Sequence, residues 1–367
     1  MAKSRLHELS EHGQSVWIDS LSRQWLRDGT MRKLIAKDAV VGVTSNPTIF
    51  QKALSEGDWY DDQLRELIQS EEDPREIFWQ LAVADIKEAC DLFHPIWDGG
   101  DGRDGYVSLE VDPDLAYERD ATIEQALKLH DWVDKPNLFV KIPATEPGLG
   151  AIEECVARGR SINVTLIFSL ARYEAVAQAY LRGLERLVEG GGSPSGVASV
   201  ASFFVSRVDT EADKRLDAVG HPEPKGKLAI ANAKLAYQRC TELFSGERWD
   251  ALAAKGATKQ RCLWASTSTK NPDYRDVMYV EELIGPETVN TMPLETIEAF
   301  QDHGVVADTL ERGVDEARQL LDELARAGVD YDDVTETLER EGVQKFSDSF
   351  AELLEGIRAK RGELVSA

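Results

Sequence analysis

A lysine in the middle of an apolar segment is the residue with the clearest potential for chemistry. Lys141 lies in "NLFVKIPAT" (residues 137–145), where its neighbours favour burial. A buried charge is costly unless it is neutralised or paired. One interpretation is that the ammonium group reaches solvent at the edge of a strand. The other is that a desolvated amine is placed to attack a carbonyl group.

Further polar residues lie in or just after other short apolar segments. The set comprises Asp19, Thr44, Ser45, Asn46, Glu110, Asp112, Asn163, Thr165, Ser202 and Arg207. Taken singly, each has an ordinary explanation: Asp19 can cap a helix, and Asn46 before Pro47 can turn the chain. Taken together, they supply carboxylates, hydroxyls and amides around one amine. That combination favours a catalytic site.

The chemistry that such a set supports is cleavage of a carbon–carbon bond through an iminium. The neutral amine of Lys141 would attack a ketone, and the iminium would then withdraw electrons from the bond to be broken. One carboxylate must accept the proton of the hydroxyl that becomes the aldehyde. Another must move protons, through water, as the carbinolamine dehydrates. Asp19 and Glu110 are the candidates for these roles.

Eight short apolar segments must position these residues. They span 15–21, 41–47, 106–111, 138–144, 162–168, 197–208, 261–267 and 289–293, and amphipathic segments such as 74–93 and 170–190 separate them. Near-continuous apolar runs are typical of strands covered on both faces. The alternation predicts an α/β fold, a (β/α)8 TIM barrel with its catalytic groups at the carboxyl ends of the strands. A doubly wound sheet usually has a Gly-rich turn after its first strand, and "SVWIDSLSR" has none.

The chain is longer than the eight units require, so additional helices are expected. We predict one domain over residues 1–367, with helical insertions near 48–105 and 209–260 and a C-terminal helical segment near 307–360. The "DGGDGRDGY" run (98–106) is a loop by composition. We expect the amphipathic last helix to pack against the outer helices rather than to cover the barrel mouth.

Composition excludes several classes of protein. The net charge of −24 argues against nucleic acid as a partner, because a basic surface is absent. No apolar run is long enough for a membrane span, and the first residues lack the apolar region of a signal peptide. The four cysteines are widely separated, which is typical of neither a disulfide framework nor a zinc site. These features predict a cytoplasmic protein whose anion sites are built locally from Arg, Lys and backbone N–H groups.

Five motifs of the chain resemble the transaldolase family, whose members are class I enzymes that form a Schiff base. They are "GVTSNPTIF" (42–50), "VSLEVDPDLA" (107–116), "NLFVKIPAT" (137–145), "INVTLIFSLARYEAV" (162–176) and "ASFFVSRVD" (201–209). The length is similar to that of the longer bacterial members. The resemblance implies transfer of a dihydroxyacetone unit from sedoheptulose 7-phosphate to glyceraldehyde 3-phosphate in the non-oxidative pentose phosphate pathway. The products would be erythrose 4-phosphate and fructose 6-phosphate, and no metal or organic cofactor is implied.

The resemblance also implies a role for each residue. Lys141 matches the Schiff-base lysine, Asp19 matches the acid/base residue, and Glu110 and Thr165 match the pair that holds the catalytic water. The residues implied in substrate binding are Asn46 and Asn163 for hydroxyls, and Ser202, Arg207, Ser266 and Lys270 around the phosphate. Lys270 stands where a second arginine is expected, and a lysine binds phosphate as a point charge rather than bidentately.

Alternative functions remain open at this stage. A fructose 6-phosphate aldolase-like enzyme would use the same lysine but release free dihydroxyacetone. A phosphosugar isomerase would use Glu110 as an enolising base, and a non-catalytic barrel would only bind sugar phosphates. The expected partners are sugar-phosphate substrates, and the expected state is a monomer or a homodimer.

Overall fold

The fold is a closed barrel of parallel strands surrounded by helices. The computed structural model describes residues 4–221 and 223–366, and within these ranges eight strands pair in chain order, the last closing on the first. The strands are β1 (Gln14–Ile18), β2 (Val40–Val43), β3 (Val107–Glu110), β4 (Leu138–Pro143), β5 (Ile162–Ile167), β6 (Ser199–Phe204), β7 (Arg261–Ala265) and β8 (Thr288–Met292). The predicted (β/α)8 TIM barrel is confirmed.

Helices follow the strands and fill the longer connections. They are α1 (Arg5–Glu11), α2 (Arg23–Arg27), α3 (Thr30–Lys37), α4 (Pro47–Ser55), α5 (Asp61–Leu67), α6 (Pro74–Gly99), α7 (Arg119–Val133), α8 (Glu146–Ala157), α9 (Leu170–Glu189), α10 (Ser206–Val219), α11 (Leu228–Leu243), α12 (Gly246–Ala253), α13 (Met278–Glu281), α14 (Leu294–His303), α15 (Val314–Arg326) and α16 (Tyr331–Ser366). In the described part of the chain, no helix is both long and apolar enough to cross a bilayer.

Cap residues fix the first residue of two helices that follow strands at the mouth of the barrel. The Asn46 side chain accepts a hydrogen bond from the backbone N–H of Ile49 at the start of α4, and Pro47 occupies the first helical turn. Ser169 caps α9 in the same way, through the N–H of Arg172. Such caps satisfy N–H groups that the helix itself leaves unpaired. They therefore set the ends of the preceding strands to within a residue or two.

The sixth strand is shorter than the sequence predicts. The expected strand over 197–208 ends at Phe204, and α10 begins at Ser206. Val205 and Val208 are buried on the helical side of this junction, so the apolar run continues although the conformation changes. Arg207, expected on the strand, consequently lies in the first turn of α10.

The last helix spans the outside of one sector of the barrel. α16 packs against α4, α6 and α10. The ring of Phe350 meets Phe78 edge-on at a centroid distance of 5.2 Å. The expected packing against outer helices is present, but α16 also reaches the barrel mouth, which we did not expect.

The amino-terminal end of the barrel is closed by the loop that follows α6. Asp104, within the predicted "DGGDGRDGY" loop, accepts hydrogen bonds from Ser15 Oγ (2.7 Å) and Trp17 Nε1 (3.1 Å) on β1. It also pairs with the guanidinium of Arg261 on β7 at 3.0 Å. Because Arg261 is largely buried, Asp104 neutralises a charge that has little access to water.

We predict that Asp104→Ala lowers the free energy of unfolding by about 3 kcal/mol, because it leaves the Arg261 guanidinium buried without a counter-charge. Urea denaturation measures the effect, and Asp98→Ala at the exposed end of α6 is the control. Asp104 lies at the end of the barrel opposite the strand carboxyl termini. The KM for the sugar-phosphate substrate expected from the sequence should therefore not change. An equal loss of stability in the two variants would contradict the assignment.

Candidate active site

A cavity of about 290 Å³ opens at the carboxyl ends of the strands. Eight of the ten predicted site residues line it, namely Asp19, Asn46, Lys141, Thr165, Ser202, Arg207, Ser266 and Lys270. The other two, Glu110 and Asn163, lie beneath it and contact residues of its wall. The structure therefore brings all ten together, from seven strands and the segments that follow them.

Lys141 points into the barrel rather than to solvent. Its exposure is 4%, which rules out the interpretation that it reaches water at a strand edge. The Nζ atom lies 3.0 Å from Glu110 Oε2 and donates a hydrogen bond to the carbonyl oxygen of Ser45 at 2.9 Å. The β3–β4 register sets Glu110 directly beside Lys141, and the β4–β5 register sets Asn163 on its other side.

The carboxyl group of Glu110 is held where its charge is disfavoured. Burial raises the pKa of Glu110 above its ordinary value, and the nearby charge of Asp19 adds to this, while the Lys141 ammonium acts in the opposite direction. A buried carboxyl group with a raised pKa is suited to hold and return a proton, and Lys141 Nζ lies 3.0 Å from it.

Asp19 follows β1 and lies in the cavity wall. Burial raises the pKa of Asp19, and a hydrogen bond from Thr44 Oγ1 (2.7 Å) opposes that rise, as do the charges of Lys141 and Arg207. The Thr44 hydroxyl also lies 2.7 Å from Thr291 Oγ1. Thr44 is among the polar residues expected after the second strand, but no specific role was predicted for it. Thr44 lies just before Asn46, and this proximity to a predicted site residue was the sequence feature that could have identified it.

The backbone of β5 is irregular where Thr165 lines the cavity. The pairing with β6 shifts between Val164 and Ile167, and Leu166 has a φ of +58°, a conformation that side chains other than glycine rarely adopt. The Thr165 hydroxyl is buried and has no hydrogen-bond partner among the described residues. Backbone strain at Leu166 and an unpaired hydroxyl at the adjacent Thr165 favour a functional role for Thr165.

Asn163 and Ser202 form a connected pair on β5 and β6. Asn163 Oδ1 accepts a hydrogen bond from Ser202 Oγ at 2.7 Å, and its Nδ2 donates to Ser108 Oγ at 3.0 Å. Both ends of the Asn163 amide are thus engaged below the cavity, whereas Ser202 lines it. In this arrangement Asn163 orients the Ser202 hydroxyl toward the cavity.

Cationic side chains also line the cavity. Arg207 lies in the first turn of α10, where a helix favours anions. Its guanidinium lies over the ring of Phe204 at 4.8 Å. Burial lowers the pKa of Arg207, and the carboxylates of Asp19 and Glu110 counter this shift. Lys270, in the segment after β7, donates to Ser268 Oγ at 2.6 Å.

Sequence reasoning missed two residues of the cavity wall that α16 contributes. Lys345 and Phe346 line the mouth beside Arg207, and Phe346 lies with its ring 5.8 Å from the Arg207 guanidinium. Nothing local marks them, because an amphipathic helix shows the same pattern whichever surface it covers. They also lie far along the sequence from the barrel motifs, so nothing in the sequence indicated that they contact the cavity.

Comparisons with known proteins show which family the chain resembles. A family model described as transaldolase/fructose-6-phosphate aldolase matches residues 16–357. The chain is 54% identical over 361 residues to a transaldolase of Frankia alni, with 97% of each chain covered. It is 53% identical over 367 residues to one of Acidothermus cellulolyticus, covering 97% of this chain and 99% of the relative. It is also 51% identical over 362 residues to one of Mycolicibacterium paratuberculosis, with 97% of each covered.

The environment of Asp19 predicts a pH dependence. A reaction that needs ionised Asp19 loses rate as the pH falls through the pKa of Asp19, which burial holds above its ordinary value. Thr44→Val removes a hydrogen bond to the ionised form, so this pKa should rise further. The acid limb of the kcat/KM profile should then move to higher pH by roughly one unit.

Thr44→Ser is the control for this shift, because it keeps the hydroxyl that donates to Asp19. Its acid limb should stay near that of the parent protein. If Thr44→Val leaves the limb in place, ionisation of Asp19 does not control it.

Proposed function

Because the chain belongs to the transaldolase/fructose-6-phosphate aldolase family, we propose that it is a transaldolase that works through a Schiff base on Lys141. It transfers a dihydroxyacetone unit from sedoheptulose 7-phosphate to glyceraldehyde 3-phosphate, giving erythrose 4-phosphate and fructose 6-phosphate. The observation that carries the proposal is the buried Lys141 amine 3.0 Å from Glu110, beneath a cavity with Asp19 on its wall.

The first half of the reaction forms the iminium. The neutral amine of Lys141 adds to the ketone carbon of the donor, and the resulting carbinolamine loses its hydroxyl as water. Glu110, whose pKa is raised by burial, supplies the proton for that loss. The unpaired Thr165 hydroxyl holds the water that carries the proton between them.

The second half breaks and remakes the carbon–carbon bond. Asp19 accepts the proton of the hydroxyl on the carbon that becomes the aldehyde, and the bonding electrons move into the iminium to give an enamine. The acceptor aldehyde replaces the first one, the enamine attacks its carbonyl carbon, and Asp19 returns the proton to the new hydroxyl. Water then hydrolyses the iminium and releases Lys141. Atoms and charge balance with no oxidant, since the iminium itself acts as the electron sink.

Substrate position is set by groups on opposite sides of this centre. Arg207 and Lys270, with Ser266 beside them, bind the terminal phosphate. Asn46 uses its side-chain oxygen to cap α4, which leaves its NH₂ group to donate to a sugar hydroxyl. Ser202, which the resemblance implies at the phosphate, lines the same cavity, and its hydroxyl donates to Asn163.

We also propose that the chain forms one domain and acts in the cytoplasm as a monomer or a homodimer. Contacts of α16 with helices that follow β2 and β6 support the single domain, because they connect distant parts of the chain. The four cysteines are free and buried, as suits a reducing compartment. Light scattering of the purified protein tests the oligomeric state.

Borohydride trapping tests the Schiff base. Incubation with fructose 6-phosphate followed by reduction should leave a dihydroxyacetone-derived adduct on Lys141, detected by mass spectrometry of the digested protein. Lys141→Met should give no adduct and no turnover. The isomerase and the non-catalytic alternatives predict no adduct on the parent protein either, so an unmodified Lys141 would refute the proposal.

Product analysis separates transfer from simple aldol cleavage. With sedoheptulose 7-phosphate and glyceraldehyde 3-phosphate together, fructose 6-phosphate should accumulate faster than free dihydroxyacetone. The reverse ratio would favour the aldolase-like alternative.

The buried pair also predicts a pH-dependent stability. In Lys141→Met, Glu110 stays buried without its cation, so its pKa in the folded state exceeds that in the unfolded state. Stability should therefore fall as the pH rises through the folded pKa, by about 3 kcal/mol once Glu110 is ionised. Adding Glu110→Gln should remove this dependence. Denaturation of the single and double variants at pH 5 and pH 8 measures it, and parallel profiles would contradict the pairing.

A further inference from the structure

Three cationic side chains from distant parts of the chain converge on one side of the cavity. They are Arg207 of α10, Lys270 after β7 and Lys345 of α16. Within residues 4–221 and 223–366, none of the three has a carboxylate within 4 Å. Carboxylates are plentiful in a chain of net charge −24. Three neighbouring cations that have no carboxylate within 4 Å in the described part of the chain therefore call for an explanation.

The three charges act on one another. The pKa of Lys345 is lowered, chiefly by the charge of Arg207, then by burial and the charge of Lys270. Such mutual repulsion raises the free energy of the unliganded site. A bound dianion relieves it, because each cation then interacts with an opposite charge.

Lys345 is held in place by the packing of its helix. Ser349, one turn further along α16, lies with its Oγ 2.8 Å from Thr48 Oγ1 on α4. Phe346 faces the Arg207 guanidinium, and Phe350 packs against Phe78 of α6. The ammonium group of Lys345 is therefore attached to a fixed element rather than to a free tail. A fixed charge binds a ligand with less loss of conformational entropy.

We propose that Lys345 is a specificity-determining residue of this enzyme, a third cation that the C-terminal helix supplies to the terminal phosphate of the sugar substrate. The inference deepens the proposed function and rests on it for the nature of the substrate. With Lys270 giving only a point charge, Lys345 supplies the additional attraction that favours phosphorylated over unphosphorylated sugars.

The test compares a phosphorylated ligand with an unphosphorylated one. Lys345→Met should raise the KM for fructose 6-phosphate roughly three- to tenfold, the effect of losing one partly exposed charge interaction. Trapping of the Lys141 adduct with free dihydroxyacetone, which carries no phosphate, should be unchanged. Lys345→Arg should keep a KM close to that of the parent protein.

Lys360→Met is the matched control. Lys360 lies on the same helix and makes its contacts with Asp61 and the carbonyl oxygen of Gly57, away from the cavity. The substitution changes the net charge equally and should leave the KM for fructose 6-phosphate as it is. Equal increases in KM in the two variants would show a general charge effect and overturn the proposal.

Two further outcomes would also overturn it. One is an unchanged KM for fructose 6-phosphate in Lys345→Met. The other is an equal loss of adduct with fructose 6-phosphate and with dihydroxyacetone, which would show that Lys345 only supports the fold.

Calorimetric titration with inorganic phosphate separates this proposal from the proposed function. Binding should weaken in Lys345→Met but not in Lys360→Met, whether or not the parent protein forms an adduct on Lys141. If the parent protein forms the adduct while the three proteins bind phosphate equally, the function stands and the role of Lys345 fails.

Discussion

The contact between Lys141 and Glu110 is the constraint on which the rest of the site depends. Two ionisable groups are buried side by side, and neither could remain there charged without the other. Their 3.0 Å separation lets the two groups offset each other's charge within an otherwise apolar part of the barrel. The proposed attack of Lys141 on a ketone depends on this arrangement, because Glu110 is the nearest group that can exchange a proton with the reacting centre.

The pairing of two adjacent strands, β3 and β4, produces this contact. Glu110 and Lys141 are far apart in sequence, and the β3–β4 register makes them direct neighbours. The next register adds Asn163, and through it Ser202 on β6. A row of polar groups therefore crosses adjacent strands at the floor of the cavity, where Lys141 and Ser202 line it and Glu110 and Asn163 lie beneath. Because every strand is paired on both sides, the backbone positions of this row are fixed by the barrel.

The cavity holds charges of both signs. Asp19 and Glu110 lie near the amine, and Arg207, Lys270 and Lys345 form a cationic group whose members act on one another. Arg207 is also close enough to Asp19 and Glu110 to interact with their charges. The protein as a whole carries a charge of −24, so long-range attraction does not bring anionic substrates to it. Local cations must do so, and they are effective because part of the site is shielded from water. α16 completes this cationic group with Lys345, although the helix begins well after the last strand in the sequence.

The sequence by itself determined the eight strands and their alternation with helices, because strand burial on both faces leaves continuous apolar runs. Polar residues in or just after such runs are visible locally, and they gave eight of the ten candidate site residues. Ser266 and Lys270 were named only through the resemblance to the family. Only the tertiary structure decided that Lys141 is paired with Glu110, that Thr44 holds Asp19, that Arg207 lies on a helix and that Lys345 faces the cavity. Those facts depend on strand register, on the point where an apolar run changes conformation and on which surface an amphipathic helix covers. Each is settled by contacts between residues far apart in the chain, and local patterns do not encode them.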